Sequence, residues 1–196
     1  LLGMQLGFCT RSAVMSSDMA VAGISGARRI LEGDYGYFAL FEGGSDIESG
    51  FAGLCEDWRI CDVSHKPFPS GRATHGVIDG ILTLRERHAI DASEVAAVRA
   101  FVPPLVHQLT GRPMIADPGV NYARLCIPYV GAVALQRGAV GIADFQSARL
   151  RDQGTAALAS RIMVEIQDVG DPNALVPQRI EIEMTDGTIH AVDMAE

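Results

Sequence analysis

Apolar residues recur along this chain with two periods, and the change from one to the other marks the elements. From Phe8 to Ala22 the positions Phe8, Met15, Met19 and Ala22 keep helical spacing, and Gly23 and Gly26 mark the stop. Residues 27–41 add an amphipathic turn at Ile30 and Leu31, then the aromatic and glycine-rich run Gly33-Asp34-Tyr35-Gly36-Tyr37-Phe38 and a loop at 42–46. The break near residues 43–50 is the candidate domain boundary. Residues 58–64 alternate as a strand would, and Pro67 and Pro69 then end any ladder and hold the chain extended. Val77, Ile81 and Leu84 form the apolar stripe of a helix over 72–87.

Residues 94–102 fit either a helix capped by Ser93 or a strand stopped by Pro103-Pro104, and the alternation of Val95, Ala97, Arg99 and Phe101 selects the strand. A second helix is expected over 121–138, ended by Gly138, with Pro128 either in its first turn or kinking it. A short helix at 154–160 leads into residues 162–167. The last element is a β-hairpin: Ile180, Ile182 and Met184 alternate with charges, Asp186-Gly187 suggests a type I′ turn, and Ile189 and Ala191 return on the same face. The pattern is α+β, about five strands with two main helices, preceded by a helical piece.

Composition narrows the classes of function. A chain of 196 residues with 48% hydrophobic content buries roughly 70% of its unfolded surface, enough for a core without staples. The net charge of -8 disfavours nucleic acid or an anionic membrane as partner, because a phosphate lattice needs a basic face. An anionic substrate must therefore meet a local cluster of cations. Cys9, Cys55, Cys61 and Cys126 fit neither a zinc knuckle nor a disulfide framework, so buried free thiols and a cytoplasmic location are expected. No apolar run spans a bilayer and no signal peptide precedes the first helix, whose pattern is already under way at residue 8. The expectation is a fragment of a longer protein.

One segment concentrates chemistry: Lys66-Pro67-Phe68-Pro69-Ser70-Gly71-Arg72-Ala73-Thr74-His75. A strand would deliver the lysine, the prolines stiffen the exit, and Ser70 or Thr74 can cap the following helix. Lys66, Arg72 and His75 can then converge with helix N–H groups on a carboxylate; the bland alternative is a solvated turn. Arg11 is either a bidentate carboxylate clamp or half of a surface charge pair with Asp18. His65 would point to the opposite strand face from Lys66, and His88, His107 and His190 are isolated. Metal-ligand spacing, nucleotide fingerprints and a nucleophile elbow are all missing from the sequence, so no cofactor or metal is expected.

Several motifs in fixed order resemble the MmgE/PrpD family. They are residues 7–15 and 23–26, the run 30–38, Lys66-Pro67-Phe68-Pro69 with Arg72-Ala73-Thr74-His75, Ala123-Arg124-Leu125-Cys126-Ile127-Pro128-Tyr129, residues 132–138 and the terminal hairpin. The family includes 2-methylcitrate dehydratases, cis-aconitate decarboxylases and an iminodisuccinate epimerase. The resemblance implies that residues 1–47 are the end of an all-helical domain and 48–196 an α+β lid domain, within a homodimeric protein about twice this length. It implies a cofactor-independent lyase, dehydratase-like, acting on a di- or tricarboxylate by removing a proton beside an acid group. Lys66 matches the family's lid-domain lysine, and Arg11 falls where decarboxylases carry a second lysine. Arg72, Thr74 and His75 would support substrate binding. Gly71 stands where the decarboxylase branch has a histidine, and Ser16-Ser17-Asp18 replaces residues that are usually Ala, Ala and apolar. The family's proton-handling aspartate and histidines belong to its amino-terminal half. The isolated chain is therefore expected to be catalytically silent, and a carboxylate-binding or structural module is the rival expectation.

Overall fold

The computed structural model describes residues 2–44 and 47–195; Ser45 and Asp46 of the expected loop lie outside the described residues. Contacts divide the chain into two compact units, Leu1–Val63 and Ser64–Glu196.

The first unit holds helix α1 (Leu2–Val21), short helices α2 (Tyr37–Phe41) and α3 (Ile47–Phe51), and a 3-10 turn at Arg59–Asp62. Helix α1 ends where expected. Gly23 takes φ +89°, Ile24 N–H donates to the Met19 carbonyl and Gly23 N–H to that of Ala20, so two orphan carbonyls are met. Met4, Leu6, Phe8, Val14, Met15 and Met19 all stay exposed on it. The strand expected at 58–64 does not form. Cys61 N–H bonds back to the Trp58 carbonyl and Arg59 pairs with Asp62 at 3.6 Å, so local turns satisfy a backbone that no neighbouring strand pairs.

The second unit is a four-stranded sheet, one strand fewer than the pattern suggested, in the order β2-β1-β3-β4. Its strands are β1 (Val95–Val102), β2 (Ile162–Ile166), β3 (Gln178–Met184) and β4 (Ile189–Met194). β1 pairs parallel with β2 and antiparallel with β3, and β3 pairs antiparallel with β4. A register shift between Val95 and Ala97 lets Val95 and Val98 both point inward, which strict alternation forbids. Two main helices, α4 (His75–His88) and α7 (Ile127–Arg137), supply the covering layer. The shorter helices are α5 (Pro104–Thr110), α6 (Val120–Ala123), α8 (Ser147–Leu150) and α9 (Gln153–Ala159). On the other face of the sheet Arg99 meets Glu181 and Glu183, while Arg179 meets Glu181 and Asp193. That division into apolar and charged faces is what a sheet covered on one side requires.

The expected stripe Val77, Ile81 and Leu84 is fully buried, with Ile78 beside it. Helix α7 is buried all round from Ile127 to Leu135. Gly131 lets it sit against Ile81 and Ile162, whose methyl carbons would lie 3.1 and 3.0 Å from a Cβ there. The Arg85 guanidinium of α4 donates to the Leu135 carbonyl at 2.9 Å, meeting an orphan acceptor at the end of α7. The single helix expected over 121–138 is two pieces. Cys126 is extended and bridges to Gly111, and Pro128 falls in the first turn of α7, where its missing N–H costs nothing. Of the cysteines only Cys126 is buried; Cys9, Cys55 and Cys61 are exposed, contrary to the expectation of buried thiols.

The terminal hairpin forms with a different turn and register. Gly187 has φ +87°, but Asp186 does not share the positive φ that a type I′ turn requires at both central positions. Gly187 N–H donates to the Met184 carbonyl, Met184 N–H donates to the Thr188 carbonyl, and the Asp186 carboxylate accepts from Thr188 N–H. The loop therefore has three residues ending in a left-handed glycine. That extra residue moves the register by one and turns every β4 side chain over: Ile180 faces Val192 and Ile182 faces His190, while Ile189 and Ala191 point outward. Val192→Asp should therefore destabilise the chain by ~1–3 kcal/mol, and Ala191→Asp by less than ~0.5 kcal/mol. Urea unfolding of the two variants checks this, and the opposite ranking would restore the two-residue turn.

Candidate functional site

The segment from Ser64 to His75 is fixed by short-range bonds before it becomes helix. Gly71 N–H donates to the Arg124 carbonyl at 2.8 Å, and a Cβ at Gly71 would lie 2.5 Å from Leu125 Cδ2, so a side chain there would have to displace the Leu125 side chain. Thr74 Oγ1 donates to the Gly71 carbonyl at 2.8 Å and stands 2.8 Å from Ser70 Oγ, which donates to it in turn. Thr74 occupies the N-cap position of α4 without capping through its side chain, because the 3-10 turn Arg72–Thr74 has directed its hydroxyl backwards. It is fully buried. Its role here is to hold the turn that presents its neighbours.

Those neighbours line a cavity of about 440 Å³, together with residues from the other end of the sheet layer. Arg72 and His75 come from the turn and the first residue of α4, Asp79 from one turn on, Leu175 and Gln178 from the entry to β3, and Met194 from the end of β4. Arg72 is exposed and donates to Ser64 Oγ at 3.0 Å. Lys66 is exposed and does not line the wall, but its charge is felt at His75. His65 does line it; with no strand at 58–64, the alternation that would have turned it away from Lys66 does not apply. Arg11 lies in the first unit, exposed on α1, and Asp18 forms no ion pair with it among the described residues.

His75 carries the chemistry of this wall. The residue is 7% exposed, and its ring stands edge-on to Phe68 with centroids 5.4 Å apart. Burial, and then the charges of Arg72 and Lys66, lower its proton affinity, while the carbonyls of Ser70 and Phe68 act in the opposite sense. Nε2 has no hydrogen-bond partner. The second buried polar side chain is Gln178, 2% exposed: Nε2 donates to the Leu175 carbonyl at 2.7 Å, and Oε1 has no partner. Sequence reasoning missed Gln178 because nothing local distinguishes a glutamine at the start of a strand. The one available signal was Gly76, at which a Cβ would lie 2.6 Å from Gln178 Oε1. Also missed was the stacking of His88 on His190, with ring centroids 4.0 Å apart, which joins the end of α4 to β4.

The lowered proton affinity has a definite sign. Above the ordinary value of 6.5 the ring is neutral in both folded and unfolded chains and contributes nothing to the pH dependence of stability. Below 6.5 the unfolded chain takes up a proton that the folded chain resists, so stability falls as pH falls from there towards the depressed folded value. An NMR titration of the His75 ring should give a midpoint below 6.5, and a midpoint at or above it would contradict the environment described.

Comparison with known proteins places these residues in a lineage. No curated protein matches the chain. Residues 68–195 match the MmgE/PrpD C-terminal domain, which takes in the turn from Phe68, the sheet, both main helices and every cavity residue except Ser64, His65 and Pro67. Members of that family are generally lyases of the dehydratase kind. The chain belongs to the MmgE/PrpD family and carries its C-terminal domain.

Proposed function

We propose that this chain forms one wall of the active site of a cofactor-independent lyase that removes water from a di- or tricarboxylate such as 2-methylcitrate. The observation that carries the reading is the pairing, on one cavity, of the Arg72 cation with a buried neutral histidine whose Nε2 is unpartnered, inside a domain of a dehydratase-like family. In such a reaction a base takes the proton beside a carboxylate, negative charge builds on that carbon and its carboxyl group, and the C–O bond breaks as hydroxide leaves and is protonated to water. Fixed cations at the carboxylate lower that barrier. Arg72 and Lys66, both of the second unit, fill this role. Thr74 acts through the turn it holds. Residues 1–47 are read as the end of a helical domain, and the base that takes the carbon proton as belonging to the amino-terminal part of the protein.

Lys66→Ala should lower turnover of a hydroxy-tricarboxylate on the order of a hundredfold, followed in the full-length protein by the ultraviolet absorbance of the new double bond. Near-normal turnover would remove Lys66 from the mechanism. Arg72→Ala should weaken binding of the same acid on the order of tenfold or more, measured as KM.

A further inference from the structure

The cavity wall offers more than cations. His75 and Gln178 are each more than nine-tenths buried, each lines the cavity, and each holds one polar atom that no protein group satisfies, Nε2 and Oε1. Gln178 Oε1 is an acceptor because its amide nitrogen is committed to the Leu175 carbonyl. Nε2 of a neutral imidazole donates or accepts according to tautomer, and no protein group claims it in either form. A carboxylate, which only accepts, would leave Gln178 Oε1 unmatched, whereas a hydroxyl has one O–H to give it and lone pairs to spare.

We infer that His75 and Gln178 form a subsite for a neutral hydrogen-bond donor, the hydroxyl group of a hydroxy-carboxylate whose acid groups are held by Arg72, with Gln178 as a specificity-determining residue. The inference rests on the carboxylate reading above and adds the second functional group of the substrate. Asp79 lines the same cavity, but Arg72 and Lys66 outnumber it, and the local charge disfavours an ammonium. Both unpartnered atoms lie beneath the cavity surface, so the hydroxyl reaches them as a lining side chain swings aside. Met194, unbranched and at the end of β4, is the adaptable member of the wall.

Position 76 shows how closely Gln178 is placed. A Cβ there would lie 2.6 Å from Oε1 and 2.7 Å from Cδ of Gln178, so the glycine leaves room for the amide at the start of α4.

Citrate and tricarballylate, identical but for one hydroxyl, separate the two parts of the proposal. In calorimetry at pH 7.5 the chain should bind citrate roughly tenfold more tightly than tricarballylate. Gln178→Met should abolish that preference while leaving tricarballylate binding within about twofold. Gly76→Ala, which displaces the amide without removing it, should reduce the preference as well, and circular dichroism establishes that each variant is folded. Arg72→Ala should weaken both ligands equally. Equal affinity for the two acids in the unmodified chain, or an unchanged ratio in folded Gln178→Met and Gly76→Ala, overturns the hydroxyl subsite. If Arg72→Ala still weakens both acids, the carboxylate reading survives that loss. Failure of both acids to bind overturns the two readings together.

Discussion

Helix α4 meets the side chains of β3 at two points where it carries none of its own, Gly76 and Gly80. A Cβ at Gly76 would run into the Gln178 amide, and one at Gly80 would come within 2.6 Å of Ile180 Cδ1. The two spacings match: four residues of helix rise about 6 Å, and two residues of strand about 6.6 Å. The pair of glycines therefore fits the pair of same-face residues on β3, and close approach at one fixes it at the other. The rest of the unit follows from this contact. It buries Ile78, Ile81 and Leu84 over the sheet, brings Ile81 to Gly131 of α7, and sets the first residue of α4, His75, on the same wall as Gln178. The packing that makes the core also makes the site.

Elements were legible where the signal is local. The stripe of α4, the alternation of β1 and the hairpin each repeat a period that burial enforces. The signal failed where one residue changes the geometry. Asp186-Gly187 reads as a two-residue turn, yet Asp186 keeps negative φ and accepts from Thr188 N–H, and the single added loop residue reverses which β4 side chains reach the core. Residues 58–64 alternate without a neighbour to pair with, so alternation alone did not make a strand. At 121–138 helical spacing runs unbroken across Cys126, and only its bridge to Gly111 shows the backbone opening there.

The site was half legible for the same reason. Lys66, Arg72 and His75 lie within ten residues, and charge type alone suggests an anion. Gln178 enters from a strand that is remote in sequence, and its importance depends on α4 being near enough to leave its oxygen unmatched. Thr74 was legible as a residue that mattered, but the 3-10 turn spends its hydroxyl on Gly71, and a capping residue becomes a clamp on the turn. His65 reads differently once the strand before it disappears.

An acidic chain that gathers cations beside a buried, unmatched amide oxygen separates two tasks that one kind of group would confuse. Cations attract every carboxylate and discriminate poorly among them, since the attraction depends on charge and distance. A buried acceptor discriminates strongly, because a ligand without the matching donor leaves it unpaired at a cost of about 1–3 kcal/mol. On the proposed reading the two tasks bear on turnover as well as selection. Elimination of water removes the hydroxyl, so the unsaturated product keeps the charges that Arg72 binds and loses the donor that Gln178 requires. Substrate is then held more tightly than product by the hydroxyl contact alone, and the same wall that selects the acid favours release of what it becomes.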